Sequence, residues 1–364
     1  LAGAVGDSNM GGFFAPELRF AGFDHLVIRG RAEKPVYLWI HDGEIEIRDA
    51  SELWGMDTLE TQTTIRELHR DDEIQSMVIG VAGENLVRFA NVRNGMKNSA
   101  GRTGMGCVMG SKRLKAIAAR GTMDLELAHP DKLLEYCKEM NDMIMGTRWA
   151  KAQSRWGTMI IYSNTNTTGL IRCRNFQYNL MEKGDVLECE NMDKYSVGMA
   201  GCYACPVHCR HRYILTKGPY APLYAEGPEY TSQGAFGTMP DCASLETVLV
   251  ANHLVNMYGL DTLETGNLIA WAMELYEKGI IDEKTTDGLR LEWGSSEALI
   301  EMIHKIAKRE GFGNILAEGI KPSIEKIGKE SEYYAIHIKG MSNLQSDERP
   351  TPSFALGIAT STRG

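Results

Sequence analysis

Gly101-Arg102-Thr103-Gly104-Met105-Gly106-Cys107-Val108-Met109-Gly110-Ser111-Lys112 nearly matches two phosphate-binding patterns and satisfies neither. A dinucleotide fingerprint needs G-x-G-x-x-G, and here the third glycine comes one place late. A Walker loop needs Gly-Lys-Ser/Thr, and here the order is Gly-Ser-Lys. The stretch still suits an anion. Closely spaced glycines leave backbone N–H groups open, and Arg102, Lys112, Arg113 and Lys115 add positive charge. The plainer reading is a tight glycine-rich turn with a solvated basic flank.

Upstream, the pattern is that of short strands. His25-Leu26-Val27-Ile28-Arg29 and Val36-Tyr37-Leu38-Trp39-Ile40 are apolar runs of strand length. Asp42-Gly43 then joins the second run to Glu44-Ile45-Glu46-Ile47, the mark of a hairpin. Residues 76–81 predict a central strand. After residue 122 the period changes. Residues 130–145, 262–278 and 295–309 carry apolar residues at helical spacing, with Gly279 and Gly311 as stops. The expectation is an α+β chain: a β-rich domain over 1–122, then mainly α-helical domains over 123–364.

Within the second part lies Gly201-Cys202-Tyr203-Ala204-Cys205-Pro206-Val207-His208-Cys209. Zinc sites built on Cys-x2-Cys come as matched pairs or with a histidine pair. Three clustered thiolates plus one distant cysteine suit an iron–sulfur cubane better. His208 and His211 flank the run, either tuning such a cluster or merely packing. Cys137, Cys173, Cys189 and Cys242 are scattered and read as buried structural thiols.

Composition is that of a globular protein: 43% hydrophobic and 24% charged over 364 residues. A net charge of -9 argues against nucleic acid as a partner. No segment approaches the length of a membrane span. Clustered cysteines without a disulfide-like spacing favour a reducing, cytoplasmic compartment. The chain opens on Leu1 and stops at Gly364, which predicts an internal portion of a longer protein.

Two further segments complete the pattern. Gly6-Asp7-Ser8-Asn9-Met10-Gly11-Gly12 is a loop whose backbone could approach a ligand. Asn256-Met257-Tyr258-Gly259-Leu260-Asp261-Thr262 leads into a helix, so Asp261 is also a ready N-cap. Taken in order, these segments resemble the tungsten-dependent aldehyde:ferredoxin oxidoreductase family over essentially the whole chain. The resemblance also rests on Pro16-Glu17-Leu18, Phe20-Ala21-Gly22, Glu33-Lys34-Pro35-Val36-Tyr37, Glu226-Gly227-Pro228-Glu229-Tyr230 and Ala359-Thr360 with Arg363-Gly364.

The resemblance implies an enzyme oxidising an aldehyde to a carboxylic acid at tungsten, or its near-equivalent molybdenum, held by two pyranopterins. It implies a [4Fe–4S] cluster on Cys202, Cys205 and Cys209, with the fourth cysteine and an active-site histidine beyond Gly364. Magnesium would be bound through main-chain carbonyls of Asn9 and Cys107. Pterin contacts would come from Asn9, Gly11, Gly12, Arg102, Gly104, Gly106, Cys107, Gly110, Lys112, Asn256, Gly259, Leu260 and Asp261. Electrons would pass to ferredoxin or an iron–sulfur partner subunit, within an oligomer. This chain departs from the family in three places. The proton-handling glutamate is Thr231, which leaves Glu229 or Glu226 as candidates beside it. The first aspartate before Gly-Leu-Asp is Asn256. A Glu-x-x-His that holds an intersubunit metal in some members reads Val250-Ala251-Asn252-His253. Two other activities remain open on the same residues: an aryl-CoA reductase catalytic subunit, and an electron-carrying iron–sulfur subunit without pterin.

Overall fold

The computed structural model describes residues 3, 5–328 and 330–361. Arg363 and Gly364 of the resemblance therefore lie outside the described residues.

The first part is built on a mixed six-stranded sheet. Its strands are β1 (Val36–His41), β2 (Glu44–Asp49), β3 (Gln75–Val78), β4 (Val92–Asn94), β5 (Asn98–Ala100) and β6 (Leu114–Arg120), in the order β2-β1-β6-β3-β4-β5. Asp42 and Gly43, both at positive φ, make the two-residue turn between β1 and β2. Strand β6 runs parallel to β1 and antiparallel to β3. Its alternation sorts the core onto two faces. Ile117 and Ala119 join Phe14, Ile40 and Ile79 on one side, while Ala116 and Ala118 join Tyr37, Leu53, Ile65 and Ile74 on the other.

Two strand expectations change. His25 to Arg29 alternates in burial as a strand would, with Leu26 and Ile28 packed inward and Val27 79% exposed. It forms no ladder, and the chain there is irregular. The predicted 76–81 strand stops at Val78, and a short helix, Val81–Glu84, follows. Gly80 is the reason: a Cβ there would lie 2.6 Å from the Met257 carbonyl oxygen, so the chain turns where two segments touch.

The second part packs helices Leu245–Tyr258, Thr262–Glu277 and Ser296–Lys308 into the largest core, centred on Trp271, Leu268, Ile269, Leu299 and Ile303. Thr262–Glu277 forms over the predicted span and is buried nearly all round, beyond the one apolar face that its spacing predicts. A separate antiparallel sheet, β7 (Ser196–Ala200), β8 (Arg210–Leu215) and β9 (Leu223–Glu226), stands apart from the helices in sequence and holds the cysteine run. Helix Pro130–Met145 forms over the predicted span but buries none of its side chains. No helix of the described residues is long and apolar enough to cross a membrane.

Candidate functional site

The loop joining β7 to β8 is the cysteine run itself. Cys205 N donates to Cys202 O (3.1 Å), closing a tight turn, and Ala204 and His208 take left-handed backbone angles. Cys202, Cys205 and Cys209 are all free and half-buried. Burial pushes the Cys209 thiol above its ordinary pKa, with Glu229 and the two neighbouring cysteines acting in the same direction. Three soft, unpaired sulfurs on one turn are a donor set suited to an iron–sulfur cluster.

Residues 11–20 and the β5 strand of the first part close over this loop. Gly11 comes so near that a Cβ would lie 3.1 Å from Cys202 Sγ. Tyr203 N donates to Gly12 O (3.2 Å), and the Tyr203 ring meets Phe13 and Phe20 edge-on. Asn98, at the start of β5, donates Nδ2 to Cys202 Sγ (3.4 Å) and accepts from Arg210 Nη1 (2.5 Å).

Lys97, one residue earlier, pairs with Glu229, whose other oxygen accepts from Thr158 Oγ1. Tyr230 N in turn donates to Thr158 Oγ1 (3.0 Å). The two glutamates named from sequence therefore differ in kind. Glu226 is buried and held by Arg210 (3.0 Å) and Arg212 (3.3 Å). Glu229 is a quarter exposed and has a lysine and a hydroxyl for company. Thr231 sits half-buried in the single turn Tyr230–Gln233.

The glycine run turns out to serve packing as much as approach. Helix Met105–Ser111 lies on the backbone of residues 83 and 88–91. A Cβ on Gly106 would come 2.8 Å from the Ala90 carbonyl carbon, and one on Gly104 3.4 Å from that of Arg88, where the backbone is also left-handed. Gly101 differs, meeting only Ser99 Oγ at 3.3 Å. The charges disperse too. Lys112 Nζ is spent on Gly30 O (3.0 Å), Arg113 on Glu33 O, and Lys115 is buried against Glu84 and Met56 O. Of the four cations that the sequence offered, Arg102 alone turns back toward the second part. The first loop lies alongside: Thr103 Oγ1 donates to Asp7 O (3.1 Å), Gly6 abuts Met105, and Asn9 is exposed. The Cys107 side chain packs against the helical core, and burial raises its thiol pKa.

Arg102 reaches a buried pair of carboxylates. Its Nε lies 3.3 Å from Asp261 Oδ2, and its Nη2 lies 3.4 Å from Glu264 Oε2 and 3.0 Å from Ser342 O. Asp261 Oδ1 accepts from Leu263 and Glu264 N, so the capping role holds for one oxygen. Gly259 ends the preceding helix in the left-handed region, and Asn91 Nδ2 binds Leu260 O (2.7 Å). Asn256 is buried, its carbonyl taken by Thr58 Oγ1. Burial raises Asp261 and pushes Glu264 up to about 7, in spite of Arg102. Glu264 Oε1 is buried without a hydrogen bond among the described residues, and Asp261 Oδ2, equally buried, has only its ion pair with Arg102 Nε. Those two acceptors fit a ligand that presents N–H groups, and Arg102 fits its anionic part.

Sequence reasoning missed Lys97, Asn98, Thr158, Arg210 and Glu264. None lies in a pattern with a period, and each acquires its role through a contact far away in sequence. Other expectations were simpler. His211 is a buried packing residue bonded to Ser196 Oγ (3.1 Å), and His208 is exposed. Cys173, Cys189 and Cys242 are buried, but Cys137 is exposed because its helix has no cover. At the variant Glu-x-x-His, Val250 is buried and burial lowers His253 to about 4.

Residues 1–121 match the family described as aldehyde ferredoxin oxidoreductase, N-terminal domain, and residues 135–364 match its domains 2 and 3. The whole chain is 40% identical to a tungsten-containing aldehyde ferredoxin oxidoreductase of Pyrococcus furiosus, covering 60% of that protein. It is 34% identical, over 94% of its length and 57% of the other, to an aliphatic sulfonate oxidoreductase WOR-like subunit of the same organism. Among solved structures it resembles the active-site complex BamBC of benzoyl coenzyme A reductase with 1,5-dienoyl-CoA. That likeness has a TM-score of 0.80 at 29% identity, over 93% of this chain and 53% of the other. The chain spans about three fifths of the length of the tungsten enzymes it matches.

Proposed function

Because the chain belongs to the aldehyde ferredoxin oxidoreductase family, we propose that it forms part of an active site that oxidises an aldehyde to a carboxylic acid. One observation carries the reading. Three free thiols share the β7–β8 loop, with Asn98 bonded to the Cys202 sulfur, in a chain 40% identical to tungsten aldehyde oxidoreductases. When bound, a tungsten or molybdenum bis-pyranopterin supplies two-electron redox chemistry, and a [4Fe–4S] cluster supplies a one-electron exit.

The chain's own residues have the remaining tasks. Cys202, Cys205 and Cys209 would hold the cluster. Asn256, Leu260 and Asp261 would hold one pterin, with Arg102 against its anionic part and Asn9 and Cys107 offering carbonyls to magnesium. The backbones of Gly11, Gly12 and Gly101 give close approach, while Gly104, Gly106, Gly110 and Gly259 keep the surrounding segments packed. Glu229 would take the proton that a carboxylate handles at this site, held in place by Lys97 and Thr158. Residues 1–122 form the β-rich pterin-binding part and 123–364 the helical part in this reading. Ferredoxin or an iron–sulfur subunit would accept electrons, in an oligomer. Eight free cysteines support a reducing cytoplasm as its setting.

The likeness to benzoyl coenzyme A reductase favours a second reading, reduction of an aryl-CoA thioester at the same centre. Anaerobic purification of the full protein tests both. The first reading expects bound tungsten or molybdenum, pterin fluorescence and aldehyde-dependent viologen dye reduction. Oxidation of a cyclic dienoyl-CoA without aldehyde activity would replace it with the second. Iron with no pterin would leave only an electron-transfer subunit.

A further inference from the structure

The turn between β4 and β5 is anchored more firmly than an edge hairpin requires. Arg93, fully buried on β4, donates Nη2 to Lys97 O (2.8 Å) and Met96 O (3.3 Å). Gln62, also buried, accepts from Gly95 N (2.7 Å) and donates to Gly95 O (3.2 Å). The turn is therefore fixed from both ends before it meets the cysteine loop.

What it delivers there is Asn98. The side-chain amide has one direction open to it, because Arg210 Nη1 binds Oδ1 at 2.5 Å and so turns Nδ2 toward Cys202 Sγ. Arg210 is itself 8% exposed and cannot swing away. Glu226 holds its Nε side at 3.0 Å, and its Nη2 donates to Gly201 O (3.3 Å). Gly11 leaves room for this contact, since a Cβ there would sit 3.3 Å from Asn98 Nδ2. A relay thus runs Glu226–Arg210–Asn98–Cys202, each member oriented by the one before it.

We propose that Asn98 is a positioning residue that sets the reduction potential of the cluster carried by Cys202, with Arg210 holding it in the donating orientation. The inference rests on the cluster reading above. An N–H donor stabilises negative charge on a thiolate sulfur, and the reduced cluster carries more of that charge than the oxidised one. Asn98 therefore raises the potential and favours electron entry. Its other neighbours, Gly11 and the Arg210 guanidinium, offer no second donor to Cys202 Sγ among the described residues.

The test is a redox titration of the full, anaerobically purified protein followed by electron paramagnetic resonance, with iron and sulfide counted in each sample. Asn98→Leu removes the donor, and Asn98→Asp keeps its shape while removing both N–H groups. At a fixed poise each should lower the ratio of reduced to oxidised cluster between about threefold and tenfold, tenfold being 59 mV for one electron. Arg210→Lys, which keeps the cation and loses the guanidinium contact to Asn98 Oδ1, should shift the ratio the same way, and adding it to Asn98→Leu should change little further. Variants that retain their iron and titrate as the wild type would overturn the inference. Wild-type protein lacking a four-iron cluster would instead remove the cluster reading itself, an outcome the iron count separates from the first.

Discussion

Gly110 lies against Gly83 so closely that a Cβ on it would come 2.7 Å from the Gly83 carbonyl carbon. The two short helices they belong to, Val81–Glu84 and Met105–Ser111, touch backbone to backbone, and a methyl group has nowhere to go. Gly110→Ala should cost about 3 kcal/mol or more, read as a lower urea midpoint. Gly101→Ala, which meets only a serine hydroxyl, should stay within about 0.5 kcal/mol of wild type. Equal losses from both would mean that the glycines are not divided between packing and approach.

Lys115 and Glu84 form a second test of the same region. Neither is more than 4% exposed, and they pair beneath Met56 O and Gly55 N. Desolvation drives both toward neutrality, but mutual attraction and these backbone contacts hold the ion pair. Lys115→Met alone should destabilise by about 3–5 kcal/mol, since it strands a buried carboxylate. Adding Glu84→Gln should recover part of the loss in chemical denaturation.

Glu264 predicts a pH dependence. Its folded pKa, about 7, stands above its unfolded value, so the folded state holds the proton more tightly. Any stability this confers is fully present below pH 4.5 and is lost as pH rises through 7. Glu264→Gln should gain on wild type across that window by up to about 3 kcal/mol. Thermal unfolding of both at pH 5 and pH 8 measures it. Parallel curves would show that Arg102 already holds the carboxylate ionised.

Glu229 and Glu226 should separate in kinetics. Glu229→Gln keeps shape and removes the carboxylate that the proposed reading makes the base, so aldehyde turnover should fall about a hundredfold or more with iron content unchanged. Glu226→Gln should act first on stability, because it frees Arg210 and Arg212 from a buried partner. Turnover unaffected by Glu229→Gln would remove Glu229 from proton handling.

Much of this architecture could be read from residues alone, and the losses have physical causes. The β1–β2 hairpin was legible because Asp42-Gly43 supplies the positive φ that its turn demands. Helix Thr262–Glu277 was legible from apolar residues at helical spacing and its glycine stop. The segment at 25–29 misled because an apolar run of strand length reports burial, and a strand also needs a neighbour to bond. The cysteine run was legible as one loop with three free thiols, because its spacing is a local property of the chain. Asn98 and Arg210 were not, since their meeting depends on how two sheets approach each other across more than a hundred residues. The basic flank of the glycine run suggested four available cations, and only the fold shows three of them committed elsewhere.

The β4–β5 turn carries a consequence for diversification. β5 is the edge strand of its sheet, so the turn can change sequence without disturbing the central strands. Yet two of its successive residues face separate groups, Lys97 the Glu229 carboxylate and Asn98 the Cys202 sulfur. Replacing this one short turn would change both contacts at once and leave Cys202, Cys205 and Cys209 in place.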